Sequence, residues 1–385
     1  MPIYLDHAAT SWPKHPAVIQ EMTRFMECDA GNPGRSGHSM SIAAARTVFT
    51  ARERLAQLFG SPSPDRVIFT KNATEALNMI IFGLLDQDCH VVTSSVEHNS
   101  VMRPLRFLES RGMGLSVVAC SSTGVIDQVD IRKAVTAKTK LIMMTHASNV
   151  CGAVQPIREI GRMARDLGLL FAVDAAQTAG CEPINIMDDH IDFLAFTGHK
   201  GLGGPQGTGG LVLGPEANLP PLLHGGTGSL SDNERQPGFL PDKLESGTLN
   251  AIGIAGLGEA VKPEILRQVE NKNKKQSLLR LFMEGLAEIP GVLVYGPQEP
   301  SLNAGVISLN IKGAVCSEIG LALDRGFGIL TRTGLHCAPS AHRTIGTFPQ
   351  GTVRFSIGAQ NNQDEIEQAL AAIRMIAGKC GEFDE

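Results

Sequence analysis

Short apolar runs alternate with longer amphipathic ones along most of the chain. "RVIFT" at 66–70 precedes "TEALNMIIFGLL", whose apolar residues recur at helical spacing. "HVVTSSV" at 90–96 precedes the helix-like "NSVMRPLRFLESRG". "LSVVAC", "KLIMMTHAS", "LLFAVDAA", "FLAFTGH" and "GGLVLG" follow, and "IREIGRMARDLG" lies between two of them and stops on Gly168. Nearly continuous apolar strands alternating with helices predict a mostly parallel sheet covered on both faces. We assign a large α/β domain to residues 16–255 on this pattern.

After "NAIGIAGLGEAV" the pattern changes. One long polar helix is expected over "KPEILRQVENKNKKQSLLRLFMEGLAEI". "GVLVYG", "AGVISLNI" and "TVRFSIG" then alternate with "CSEIGLALDRG" and a last helix near 363–378. This predicts a smaller α+β domain, made of residues 1–15 and 256–385.

Composition narrows the classes. Hydrophobic residues make up 43% and charged residues 19%, enough for a sizeable core and unlike a disordered chain. The formal net charge is -5, and the basic run "NKNKK" at 271–275 reads as a solvated helix face. With two tyrosines and one tryptophan, aromatic recognition of a nucleic acid has no support, and none is expected as a partner. No apolar run reaches the ~18 residues of a membrane span, and no export-type leader is read at "MPIYLDHAATSWPK". The eight cysteines, at 28, 89, 120, 151, 181, 316, 337 and 380, form no CxxC pair and read as reduced thiols in a cytoplasm.

In open parallel sheets, ligands bind beyond the carboxyl ends of the strands. That rule collects Asn72–Glu75, His98, Asn149, Asp174–Gln177 and Thr197–Lys200 into one predicted crevice. A helix start near Thr74 offers free amides and a positive dipole end, a seat for phosphate; a plain N-cap by Asn72 or Thr74 is the alternative. Asp174 ends an apolar strand, where a carboxylate is costly without a cationic or hydrogen-bonding partner; a helix cap is the alternative. Lys200 ends the next strand, ahead of glycines that let a bulky group approach the backbone. Desolvated beside other cations, such a lysine loses its proton and attacks carbonyls; the alternative is a solvated lysine at a strand end. A nicotinamide site is disfavoured, because "GLGGPQGTGG" leads into a strand and lacks the G-x-G-x-x-G spacing.

"DAAQT" followed by "TGHK" resembles the class V aminotransferase family of pyridoxal-phosphate enzymes. "YLDHAATS", "NATEALN", "EHNS", "HASNVCGAVQPI" and "ESGTLN" match the same family along nearly the whole chain. Within it, "RTGLHCAP" at 332–339 is similar to the "R-x-G-x-H-C-A" segment of one cysteine desulfurase branch. The resemblance implies fold type I, with a seven-stranded sheet in the large domain and the reactive cysteine on a loop of the small one. It implies pyridoxal 5'-phosphate held by Lys200 as a Schiff base, with Asp174 at the ring nitrogen, Gln177 at the phenolic oxygen and His98 stacked on the ring. Thr74 and the Ala73 amide would bind the phosphate, helped by Thr197 and His199, with Thr248 reaching the partner subunit of a homodimer. Asn149 and Arg354 would hold the substrate carboxylate, Arg332 is a second candidate for that role, and His38 is a candidate substrate contact. His7 is read as structural.

Cys337 would be the nucleophile, its thiolate favoured by Arg332, His336 and His342. An unremarkable surface thiol, or a zinc site shared with those histidines, is the alternative. The implied reaction converts L-cysteine to L-alanine and leaves a persulfide on Cys337, for transfer to an acceptor protein or reductant, as in iron–sulfur cluster assembly. Selenocysteine lyase, another cysteine β-lyase and a class V aminotransferase fit much the same residues; the last needs no thiol at 337. A non-catalytic scaffold would have lost Lys200 or Asp174. The basic pair His342 and Arg343, in "PSAHRTIGTFPQG", is expected to influence which acceptor docks.

Overall fold

The computed structural model describes residues 2–34 and 37–381; the side chain of Cys380 lies outside what is described. A short strand β1 (Ile3–Tyr4) opens the chain. The large sheet is built from β2 (Val67–Thr70), β3 (His90–Ser94), β4 (Gly114–Val118), β5 (Thr139–Thr145), β6 (Leu170–Asp174), β7 (Phe193–Thr197) and β8 (Gly209–Leu213). Its order is β2-β8-β7-β6-β5-β3-β4, and only β8 runs against its neighbours. The mostly parallel seven-stranded sheet read from the sequence is therefore present.

Both faces are buried, as the unbroken apolar strands require. Ile142, Met144, Phe171, Val173, Leu194 and Phe196 pack on one face. Their neighbours Leu141, Met143, Ala172, Phe193 and Ala195 pack on the other, following the period of two. The strand order reverses between β3 and β5, which makes a switch point where a crevice opens. The register brings Thr145 beside Asp174 and Asp174 beside Ala195, so the carboxyl ends of the central strands lie level.

The smaller sheet contains β9 (Val292–Tyr295), β10 (Val306–Ile311), β12 (Arg332–Gly334) and β13 (Thr352–Ser356), all antiparallel. Strand β11 (Ile329–Leu330) pairs with β1. Leu279, Phe282, Leu309, Phe355, Ile366 and Ile373 form the core between this sheet and its helices.

The sequence reading fails in the segment before β9. The expected single helix is broken at Arg267, whose φ of 42° ends helix 263–266 and starts helix 268–287. Nor is "NKNKK" a solvated face. Lys275 sits at helical spacing with Leu278, Leu279 and Phe282 on the buried side, and is 5% exposed. Lys272 pairs with Glu182 at 2.7 Å, and Lys274 Nζ donates to the Ala359 carbonyl at 2.7 Å. No described helix is long and apolar enough to cross a membrane.

Candidate active site

The carboxyl ends of β5, β6 and β7 and the loops around them open on a cleft of ≈ 510 Å³. Ala73, Thr74, His98, Asn149, Asp174, Gln177, Thr197, His199 and Lys200 all line it, with Asn72 and Ser100.

Two helices begin at its wall. Asn72 caps the helix Ala73–Leu84, its side-chain oxygen accepting from the Glu75 amide at 3.0 Å. The cap is therefore Asn72, which leaves the Thr74 hydroxyl to meet Ser100 Oγ at 2.8 Å inside the cleft. His98 caps the helix Asn99–Glu109, Nδ1 accepting from the Ser100 amide at 3.0 Å. Burial, then the positive charge of Lys200, lowers the His98 pKa to about 4, so the ring that lines the cleft is neutral. Two positive helix ends converge on one spot, a setting that suits an anion.

Asp174 is buried at 4% exposure, and one carboxylate oxygen accepts from the Ala176 amide at 2.9 Å. No cationic side chain forms an ion pair with it among the described residues. Burial raises its pKa, and the Ala176 amide and the Lys200 charge only partly oppose that. Lys200 shows the complementary effect. Burial is the main cause that lowers its pKa to about 8; Asp174 opposes, while Arg354 and Arg332 assist. The lysine is thus tuned towards a free amine.

Gln177 Nε2 donates to the Ala8 carbonyl at 3.2 Å, and Thr197 Oγ1 to the Thr208 carbonyl at 3.5 Å. The His199 carbonyl accepts from the Ser11 amide at 3.0 Å and from Lys14 Nζ at 2.8 Å, while its buried ring Nδ1 has no partner. Arg354 is 1% exposed, and Nη2 meets Asp6 Oδ1 at 2.6 Å while Nη1 donates to the Asn149 carbonyl at 3.1 Å. Its fork is therefore engaged within the chain, and only Nε is left without a partner. Arg332 faces it across β12 and β13 in register and is only half-buried.

Cys337 is exposed on a loop at the cleft's rim. His336 and Cys337 both adopt left-handed backbone, with φ of 48° and 59°, a costly pair for non-glycine residues. Three tethers hold it. Asn149 Nδ2 donates to the His336 carbonyl at 2.7 Å, the Asn99 amide donates to the Cys337 carbonyl at 2.9 Å, and His336 Nε2 meets Thr352 Oγ1 at 3.1 Å. Arg332 Nη2 lies 3.4 Å from the thiol sulfur.

The two histidines do not supply positive charge there. His336 and His342 are buried, and burial pulls the His336 pKa well below the imidazole range and that of His342 to about 4. Both rings are neutral near pH 7, leaving Arg332 as the cation at the thiol. His342 is also unavailable to a docking partner, while Arg343 is exposed and stacks over Phe348 at 4.2 Å. No group of three or more His, Cys, Asp or Glu side chains suited to a metal occurs among the described residues.

Two candidates lie away from the cleft of this chain. Exposed His38 caps the helix Ser39–Phe59, accepting from the Ser41 amide at 3.3 Å. Thr248 lines a neighbouring hollow with Lys71 and Glu75. One buried residue escaped the sequence reading. Glu97, fully buried behind Asp174, accepts from the Thr145 amide at 2.9 Å and from Ser94 Oγ, and burial raises its pKa to about 8. Its only sequence signal is an acid between the strand end "TSS" and His98.

The profile of the family described as Aminotransferase class-V matches residues 3–369. The chain belongs to this family. Class V aminotransferases and the cysteine desulfurases among them depend on pyridoxal phosphate. The chain is 35% identical to a "Probable cysteine desulfurase" of Methanothermobacter thermautotrophicus, over 98% of this chain and 95% of the relative. It is 31% identical to a "Cysteine desulfurase IscS" of Dictyoglomus turgidum, again over 98% and 95%. Among solved structures, an apo cysteine desulfurase from Thermococcus onnurineus NA1 superposes with a TM-score of 0.91 at 31% identity, covering 98% of this chain and 95% of that one.

The residues of this family member fit the family's cofactor. A buried carboxylate without a cation, two helix starts facing one cavity and a lysine poised to lose its proton are what a charged pyridine ring with a phosphate and an aldehyde would use.

Proposed function

We propose that this class V aminotransferase family member is a cysteine desulfurase that releases L-alanine and carries the sulfur on Cys337. The observation that carries this reading is an exposed thiol on a strained, triply tethered loop, with a guanidinium 3.4 Å from its sulfur. A transaminase has no use for that arrangement.

When bound, pyridoxal phosphate supplies an aldehyde that takes up an amine and a ring that withdraws electrons from the substrate's Cα. Lys200 would hold it, Asp174 would keep its ring nitrogen charged, Gln177 would contact its phenolic oxygen and His98 would cover its face. Ala73, Thr74, Thr197 and His199 would seat the phosphate, with Thr248 of a second copy completing the seat in a homodimer. The chain's own groups do the rest. Lys200, as a free amine, takes the Cα proton and returns it. Arg332 and the Nε of Arg354 orient the substrate carboxylate, and Asn149 keeps the thiol loop on the cleft. The Cys337 thiolate attacks the substrate sulfur, the Cβ–S bond breaks, and the sulfur ends as the outer atom of a persulfide. His38 would contact the substrate. The enzyme would work in the cytoplasm as a component of sulfur supply, passing sulfur to an acceptor protein or reductant, iron–sulfur cluster assembly being one such route. Residues 16–255 would form the cofactor domain, and residues 1–15 and 256–385 the domain carrying the thiol.

The test is incubation with L-cysteine and a reductant, measuring alanine and sulfide together, with L-selenocysteine beside it. Equal amounts of both products are expected. Cys337→Ser should keep the cofactor's colour and stop sulfide release; sulfide at the parent rate would remove Cys337 as nucleophile. Selenide formed from selenocysteine while cysteine stays intact would make the protein a selenocysteine lyase instead.

A further inference from the structure

A second and larger cleft, of ≈ 940 Å³, shares Gln177 and Lys200 with the first. It lies between the segments that follow β7 and β13. Lys200, Lys272 and Lys275 line it, and no aspartate or glutamate does. Lys272 is neutralised by Glu182 at 2.7 Å. Lys275 is not. It is 5% exposed, its Nζ donates only to the Ala304 carbonyl at 2.8 Å, and no carboxylate pairs with it among the described residues. A buried ammonium without a counter-ion is expensive, and a carbonyl uses one of its three donors. His7 lines the same space and is 8% exposed. A buried cation without a counter-ion, in a cavity that no carboxylate lines, calls for an anionic acceptor. Leu202, Leu266 and Ile357 supply an apolar wall beside them.

We propose that this cleft binds a small organic carboxylate, its charge on Lys275 and its hydrocarbon part against Leu202, Leu266 and Ile357. The ligand lies beside Lys200, between the segments that follow β7 and β13. It is distinct from the amino-acid substrate, and the proposal does not depend on the desulfurase reading.

The experiment uses the holoenzyme and sodium butyrate, with butyramide as the neutral analogue of the same shape, followed by calorimetry and thermal melting. Butyrate is expected to bind and raise Tm, and butyramide to do neither. Lys275→Met should weaken butyrate roughly tenfold or more, the scale of a lost charge-assisted contact. Arg332→Gln, at the Cys337 thiol and outside the lining of the second cleft, should leave butyrate affinity within about twofold, less than one hydrogen bond. In the unaltered protein, butyrate should also protect Lys275 from acetic anhydride, read by peptide mass spectrometry, so the proposal stands or falls even if Lys275→Met does not fold. Equal binding of butyramide, unprotected Lys275, or butyrate binding lost in Arg332→Gln but kept in Lys275→Met would each overturn it.

Discussion

The Asn149 side chain donates to the carbonyl of His336 at 2.7 Å, one residue ahead of the exposed Cys337. Its own carbonyl accepts from Arg354 at 3.1 Å, so one residue beyond β5 joins the thiol loop to the buried guanidinium. Two successive left-handed residues would relax without such a tether. Removing a hydrogen bond of this kind costs about 1 kcal/mol. Asn149→Ala should therefore lower sulfide release about fivefold while leaving the fold intact. Hydrogen exchange read by mass spectrometry should quicken at residues 335–339; unchanged exchange there would mean that the other two tethers suffice.

Lys200 sets a pH dependence with a definite sign. Burial disfavours its ammonium form, so the amine appears as pH passes about 8, below the ordinary lysine value of 10.5. Between those two values the unfolded chain binds more protons than the folded one, so this group's contribution to stability rises with pH there. Capture of pyridoxal phosphate by cofactor-free protein should accelerate with a midpoint near 8, followed by the growth of visible absorbance. Arg332→Gln removes a charge that disfavours the ammonium, so the midpoint should move up. Asp174→Asn removes a charge that favours it, so the midpoint should move down. A profile centred on 10.5 would return Lys200 to an ordinary solvated lysine.

At Cys337 the positive charge against the sulfur is that of Arg332, because His336 and His342 are held neutral by burial. The thiolate is the reactive form of a cysteine, and the Arg332 guanidinium lies against this sulfur. Alkylation by iodoacetamide at pH 7 should slow several-fold in Arg332→Gln, in line with ~1 kcal/mol for a part-exposed charge pair. His342→Gln should leave the rate nearly unchanged. A larger effect from His342→Gln than from Arg332→Gln would mean that the imidazole, not the guanidinium, activates the thiol.

The strands, the level strand ends and the crevice were legible because each rests on local pattern. An apolar run ending in Asp174 or in "TGHK" says which end of the sheet carries polar groups. What was not legible depends on burial, which pattern cannot report. The sequence places His336 and His342 beside the thiol but does not say that both are enclosed, and enclosure decides their charge. Lys275 looks solvated within "NKNKK", yet it is buried on the same side of its helix as Leu278, Leu279 and Phe282. Thr248 and His38 lie outside the cleft of one chain, so the geometry of a single chain gives neither of them a role there. Glu97 looks like a spacer before His98, yet it anchors the end of β5 through the Thr145 amide.

The glutamate of "ESGTLN" carries a stability prediction. Both Glu245 oxygens accept from Arg52 at 2.8 Å, and the two side chains are only 5% and 6% exposed. Glu245 also accepts from the Phe69 amide at 2.6 Å, while Arg52 donates to the Val67 carbonyl and lies over the Phe69 ring at 4.6 Å. The pair thus fastens the helix Ser39–Phe59 and strand β2 to the segment that leads to Thr248. Glu245→Ala leaves a buried guanidinium without its counter-ion, and a broken buried pair costs about 3–5 kcal/mol. The midpoint of thermal unfolding should fall by roughly 5–10 °C. Arg52→Met together with Glu245→Leu should recover most of that loss, because the uncompensated charge goes with its partner and apolar volume replaces both. The recovery should stop short of complete, since the Phe69 amide still lacks its acceptor. If the double variant melts no higher than Glu245→Ala, the penalty comes from that amide and from lost packing rather than from the stranded charge.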